Sequence, residues 1–245
     1  MMILPEVRSS FGRDDGALLV QLLAAHGEPA DEWMHTLAER GIDPLLDHPL
    51  IGRAILADSG ISRLPLTLVS YVILRRCLLE AGVESRLLAD YLTSLFIHFG
   101  HVGQAYRISP HDDREYHYLV DLVEDLSDAK GREGLLLRAH LGNLSLWLSG
   151  LFPDWIDHRV HRRGGPGLDY YETMGQTGYA LAAESPLARR ISLDRMYREV
   201  AAHFTSMRRA LNRFSDRFLT PHAVSPVDRV LRQVRDDFEA GRLQA

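Results

Sequence analysis

The segment from Arg132 to Leu151 narrows the choice of fold more than any other part of this 245-residue chain. Wound as a helix, it carries Leu135, Leu136, Leu137, Leu141, Leu144, Leu146, Trp147, Leu148 and Leu151 on all sides, so no polar face is left to meet water. Such a helix must be enclosed by lipid or by other helices. Arg138, His140 and Asn143 in its middle argue against lipid, because ionisable groups inside a membrane span are costly. The other long apolar stretch, Leu64–Leu74, falls short of the roughly 20 residues that a span needs. The chain is therefore expected to be all-α and not membrane-bound. The expected form is an irregular or orthogonal bundle of roughly ten helices around a central buried helix at about 132–151, in a single domain over 1–245.

A second pattern supports this class. Leu193, Tyr197, Val200, Phe204, Met207, Leu211, Phe214 and Phe218 follow one another at alternating spacings of four and three, which is one apolar seam along a single helix over 192–219. Arg208, Arg209, Arg213 and Arg217 fall mostly off that seam. The seam packs on a bundle core, and a homodimer through it stays possible. Helix starts are marked by Ser109-Pro110-His111-Asp112, Ser185-Pro186, Ser225-Pro226-Val227-Asp228 and Asp43-Pro44, with Asp169 to Glu172 resembling a capping box. Further helices are expected at about 14–26, 30–40, 49–58, 64–81, 84–99, 110–127, 153–162, 169–183 and 226–239.

Composition excludes more than it identifies. A net charge of -5 gives no bulk attraction for polyanions, and acids interrupt the arginines of the C-terminal quarter, so nucleic acid is not an expected partner. Lys130 is the one lysine, as expected from codon bias in a GC-rich bacterial genome. Cys77 cannot form an internal disulfide, and no signal peptide is evident before Asp15. Both fit a cytoplasmic protein.

Chemistry is sparse. Glu32 and His35 are half of a di-metal bundle motif whose second half is missing. His98 with His101 and His158 with His161 have ligand spacing, and Asp154, His158 and His161 share one helical stripe. That stripe is a possible three-ligand set, but Phe152, Ile156 and Val160 occupy the opposite stripe, so the histidines are expected to face water and no metal is expected there. His111-Asp112 echoes a phosphohydrolase dyad without its remaining ligands. There is no nucleophile elbow or phosphate-binding loop, and Cys77 between apolar residues has the setting of an inert thiol.

Two places stand out. Arg138, His140 and Asn143 form either a buried polar network or a pocket, with Arg138 expected to pair with Asp121, Glu124, Asp125 or Asp128. The corner with Arg159, Arg162, Arg163, Gly164, Gly165, Tyr170 and Tyr171 joins a basic helix end, a glycine turn and a tyrosine pair, a chemistry suited to an anion or a partner protein. The expected function is a non-enzymatic module that binds a partner or a small ligand. The alternative is a metal-assisted helical enzyme built from the twelve histidines and nearby carboxylates. No cofactor is indicated.

Overall fold

Apolar residues at three- and four-residue spacing wind most of the chain into helices, and the described residues contain no strand. The computed structural model describes residues 2–57, 64–101, 103–109 and 113–219. The helices are α1 (Val7–Ser10), α2 (Arg13–Ala25), α3 (Ala30–Arg40), α4 (Asp43–Leu46), α5 (Pro49–Ala57), α6 (Leu66–Glu80), α7 (Arg86–Phe99), α8 (Leu119–Leu126), α9 (Gly131–Leu151), α10 (Pro153–Arg163), α11 (Leu168–Glu184), α12 (Pro186–Arg190), α13 (Asp194–Ala202) and α14 (Phe204–Phe214). A tight turn at Gln104–Tyr106 follows α7, and a wider helical turn at Ser215–Leu219 continues α14. No helix among the described residues is long and apolar enough to cross a membrane.

The all-apolar segment behaves as its composition requires. From Ala139 to Leu151 every residue of α9 is buried. It packs against α7, α8, α10, α11, α12 and α14. Its tightest neighbour is α11, and glycine makes the approach possible. A Cβ added at Gly178 would lie 2.8 Å from the backbone nitrogen of Gly142 and 2.9 Å from the carbonyl oxygen of Arg138. A Cβ at Gly142 would lie 2.8 Å from the ring of Tyr179. One connected core of buried side chains runs from Ile3 to Phe214.

The N-terminal helices are fastened by arginine–carboxylate pairs. Arg8 of α1 holds Asp43 of α4, with Nε 2.7 Å from Oδ1. Asp47 accepts from Arg75 of α6 at 2.8 Å and from Arg86 of α7 at 2.5 Å. Partial burial would raise the Asp47 pKa, but the hydrogen bonds from Arg75 and Arg86 outweigh it and hold the carboxyl below its usual range.

Three expectations need revision. The helix expected over 192–219 divides at His203, where φ is -105° and ψ is 14°. The seam is still buried from Tyr197 to Phe214, but α13 lays its part on α11 while α14 lays its part on α9 and α6. One straight helix cannot follow both surfaces. The seam is thus used within the chain. The helix expected over 110–127 begins only at Leu119, and residues 113–117 form a non-helical connection pinned by the Tyr116 N–H donating to the Tyr106 carbonyl at 2.7 Å. The capping box at Asp169 does not form, because α11 already starts at Leu168 with Gly167 before it. Ser185-Pro186 does open a helix, and α4 starts at Asp43-Pro44. Pro110, His111 and Asp112, and the expected helix over 226–239 with its Ser225-Pro226 start, lie outside the described residues.

The close approach of α9 and α11 makes a sharp prediction. Alanine is intrinsically better than glycine in a helix by about 1 kcal/mol. Gly178→Ala should nevertheless destabilise the protein by about 1–3 kcal/mol, because its methyl group meets backbone that cannot rotate aside. Chemical denaturation of the purified variant measures this, and an unchanged or raised midpoint would contradict the packing.

Candidate functional site

The chain's clearest candidate site lies where α10 faces the connection between α7 and α8. A cleft of about 440 Å³ is lined by Trp155, His158, Arg159, Arg162 and Arg163 from α10, Tyr106, His117 and Tyr118 from the connection, and Leu148 of α9. Local sequence explains why α10 presents this face. Pro153 occupies the first turn, where its missing N–H costs nothing. Ile156 and Val160 turn towards the core, leaving the basic positions outward. The helix stops at Gly164, whose φ of +61° is the left-handed conformation that glycine adopts without strain.

The cleft gathers three arginines of one helix. Several other arginines of the structure are matched to a carboxylate, such as Arg8 to Asp43, Arg107 to Glu115 and Arg217 to Glu80. Among the described residues, Arg159, Arg162 and Arg163 have no ion pair, and no carboxylate lines the cleft. Nor do the arginines cap their own helix. The Val160 and Arg159 carbonyls accept instead from the backbone N–H groups of Gly164 and Gly165, at 3.1 and 3.2 Å. The Arg159 guanidinium lies 4.6 Å from the ring centroid of Trp155 and 5.4 Å from that of Tyr118. Cation–π contacts of this kind attract the guanidinium to the rings without using an acceptor for its N–H groups. At the other side, Tyr106 and His117 lie ring to ring at 4.6 Å. His117 also meets Glu115 at 3.0 Å, so any imidazolium charge at that end has its own counter-ion.

The sequence-selected corner is only partly gathered here. Arg159, Arg162 and Arg163 line the cleft, whereas Gly164, Gly165, Tyr170 and Tyr171 do not. The glycines close the helix end, and the tyrosines pack edge to face on one another at 5.8 Å, with Tyr171 buried. Tyr106, Tyr118 and Trp155 have no chemical signature in the sequence, and His117 reads there only as part of a polar cluster with Asp113 and Glu115. No spacing rule relates 106 or 118 to 159, so only the folded chain brings them together.

The Arg138, His140 and Asn143 group does not act as one network. Asn143 is the polar junction of three helices: its Oδ1 accepts from the hydroxyl of Tyr91 on α7 at 2.6 Å and of Tyr179 on α11 at 2.7 Å. Burial raises both phenol pKa values above their ordinary range, so these groups remain donors. Arg138 is half-buried and, contrary to expectation, has no ion pair among the described residues. Asp125 is taken by Arg114 at 2.8 Å and by the hydroxyl of Tyr116 at 2.7 Å. His140 is 4% exposed, between the rings of Phe99 and Tyr116, and its Nε2 has no hydrogen-bond partner. It lines no part of the cleft.

No group of three histidine, cysteine, aspartate or glutamate side chains converges as a metal site among the described residues. Asp154, His158 and His161 accordingly do not assemble. His161 is turned out, with Nδ1 at 2.9 Å from the Asp157 carbonyl, and His158 is exposed at the cleft. His35 pairs with Glu39 at the surface. His98 is on the last turn of α7, and His101 lies beyond its end. Cys77 is fully buried, which pushes its thiol pKa up to about 11 and leaves no thiolate for chemistry.

Arg208 departs most from its sequence pattern. It is 2% exposed, donating to Glu172 of α11 at 2.5 Å and to Asn212 at 2.7 Å. Asn212 Nδ2 in turn donates to the Ser149 and Gly150 carbonyls near the end of α9. A buried arginine with those partners is structural, and it removes one charge from the apparently basic C-terminal quarter.

Comparison of the chain with protein-family models, with curated proteins and with solved structures finds no match in any of the three.

Burial depresses the His140 pKa to about 3, so the folded protein keeps it neutral. The unfolded chain takes up a proton there near the ordinary histidine value of about 6.5. This group's contribution is therefore complete above that value and declines as pH falls below it. The native protein should lose about 2 kcal/mol more than His140→Leu between about pH 7 and pH 5. Denaturant unfolding at the two pH values measures the difference, and parallel losses would show that His140 is not buried neutral.

Proposed function

We propose that this chain is a binding module for a small acidic molecule, held in the cleft between α10 and the α7–α8 connection. One observation carries the reading: three arginines line the cleft without a carboxylate partner among the described residues, in a chain whose net charge is -5. Guanidinium groups pair readily with carboxylates, and this surface offers more acids than bases. Three together left unpaired, on a rigid helix and beside aromatic rings, are suited to an external oxyanion such as a phosphate or carboxylate.

The size and lining agree with this. Small-molecule sites are commonly clefts of roughly 300–1,000 Å³ with apolar and aromatic walls and a few convergent polar groups. Among the described residues the walls offer binding groups but no complete acid–base, nucleophilic or metal-ligating set. That favours binding over catalysis as the role of this cleft. The arginine-rich, cysteine-poor composition favours a bacterial cytoplasmic setting.

Arg162 and Arg163 are exposed, so their removal should leave the fold intact, within about 0.5 kcal/mol. Arg162→Ala combined with Arg163→Ala should weaken binding of inorganic phosphate by at least about tenfold in calorimetric titration, since charge-assisted contacts are worth about 1.5–3 kcal/mol each. Equal phosphate affinity in the native and double-variant proteins, or no binding by either, would remove the proposal.

A further inference from the structure

We infer that the cleft selects anions carried on a flat ring, an aryl phosphate or a nucleotide, over anions on an aliphatic carrier. The inference rests on the anion-binding reading above and adds the ligand class.

The arrangement of the rings separates two tasks. Trp155 and Tyr118 are committed to Arg159, whose guanidinium lies over both. With no ion pair among the described residues, this arginine has N–H groups to offer to two oxygens of one phosphate or carboxylate. Arg162 and Arg163 add charge beside it. Tyr106 and His117 are committed to no cation of the cleft. They lie against one another at 4.6 Å with ring planes 41° apart, and both contribute to the lining. His117 is held from its edge by Glu115, and Glu115 is itself fastened by Arg107, so this platform is braced from outside the cleft. The buried Leu148 supplies the apolar floor between the two sets.

An anion at the arginines would therefore place whatever it is attached to alongside a braced aromatic pair. A planar ring can stack there, whereas an aliphatic carrier gains little. The volume of about 440 Å³ admits a single ring or a mononucleotide. Stacking on protein aromatics depends little on the identity of the ring, because every base or arene has a π-face.

The test is calorimetric titration of the full chain with methyl phosphate, phenyl phosphate and adenosine 5′-monophosphate under one buffer condition. At least one ring-bearing phosphate should bind about tenfold or more tightly than methyl phosphate. Tighter binding of the nucleotide than of phenyl phosphate would identify a nucleotide as the natural class, and the reverse order a single-ring acid. Tyr106→Leu should bring the affinity for the preferred ligand close to that for methyl phosphate. The native-protein comparison carries the result even if that variant folds poorly. Equal affinities for all three ligands, with binding still lost in the Arg162→Ala and Arg163→Ala double variant, would overturn the ring selectivity and leave the anion site standing. No binding of any of them would overturn both.

Discussion

A helix without a polar face must be enclosed, and the enclosure of α9 is the constraint on which the rest of this structure depends. Its apolar side chains supply the driving force, but two local features decide how the enclosure is built. Gly142 and Gly178 let α11 come close enough for a methyl group to be intolerable. Asn143, which would otherwise be costly among leucines, is satisfied by hydroxyls from helices on two sides. Removing Asn143 would strand two tyrosine donors rather than only delete a contact. The polar junction therefore specifies which helices meet, while the apolar burial favours their meeting.

The candidate site inherits its rigidity from that frame. Leu148 of α9 forms its floor, and α10 leaves the end of α9 with only Phe152 between them. The orientation of the arginines thus follows from a buried element rather than from a flexible loop. The facing wall is a connection whose residues 113–117 are non-helical, held by the Tyr116 N–H donating to the Tyr106 carbonyl and by the buried ring of Tyr116. The cleft joins a rigid cationic face to a braced aromatic one, which is how charge and shape can be recognised together. The unpartnered Nε2 of His140 has a different meaning: it is a cost in the interior near that wall, not a ligand group.

Much of the fold was legible because helical periodicity is a local property. Nine of the ten helices expected from spacing within the described residues have counterparts, and the tenth divides into two. What periodicity could not convey was direction after a seam meets a second partner, which is why the break at His203 was invisible. The same limit hid Arg208. It follows Met207 directly, and a 4-3 pattern does not decide whether a flanking position faces solvent or a carboxylate on another helix. The basic run Arg159, Arg162 and Arg163 was visible as a local cluster at the end of a helix. Its aromatic partners were not, because Tyr106, His117 and Tyr118 reach it through the tertiary fold. Conversely, Gly164, Gly165, Tyr170 and Tyr171 looked like site residues for reasons that chain reversal and core packing explain.

Whether the three arginines are reserved for an external anion is most directly answered by a crystal structure of the protein grown with phenyl phosphate. The expected density places phosphate oxygens within hydrogen-bond distance of Arg159 and of at least one of Arg162 and Arg163, with the ring inside the cleft. Guanidinium groups found paired to the protein's own carboxylates, with the ligand absent or bound elsewhere, would contradict it.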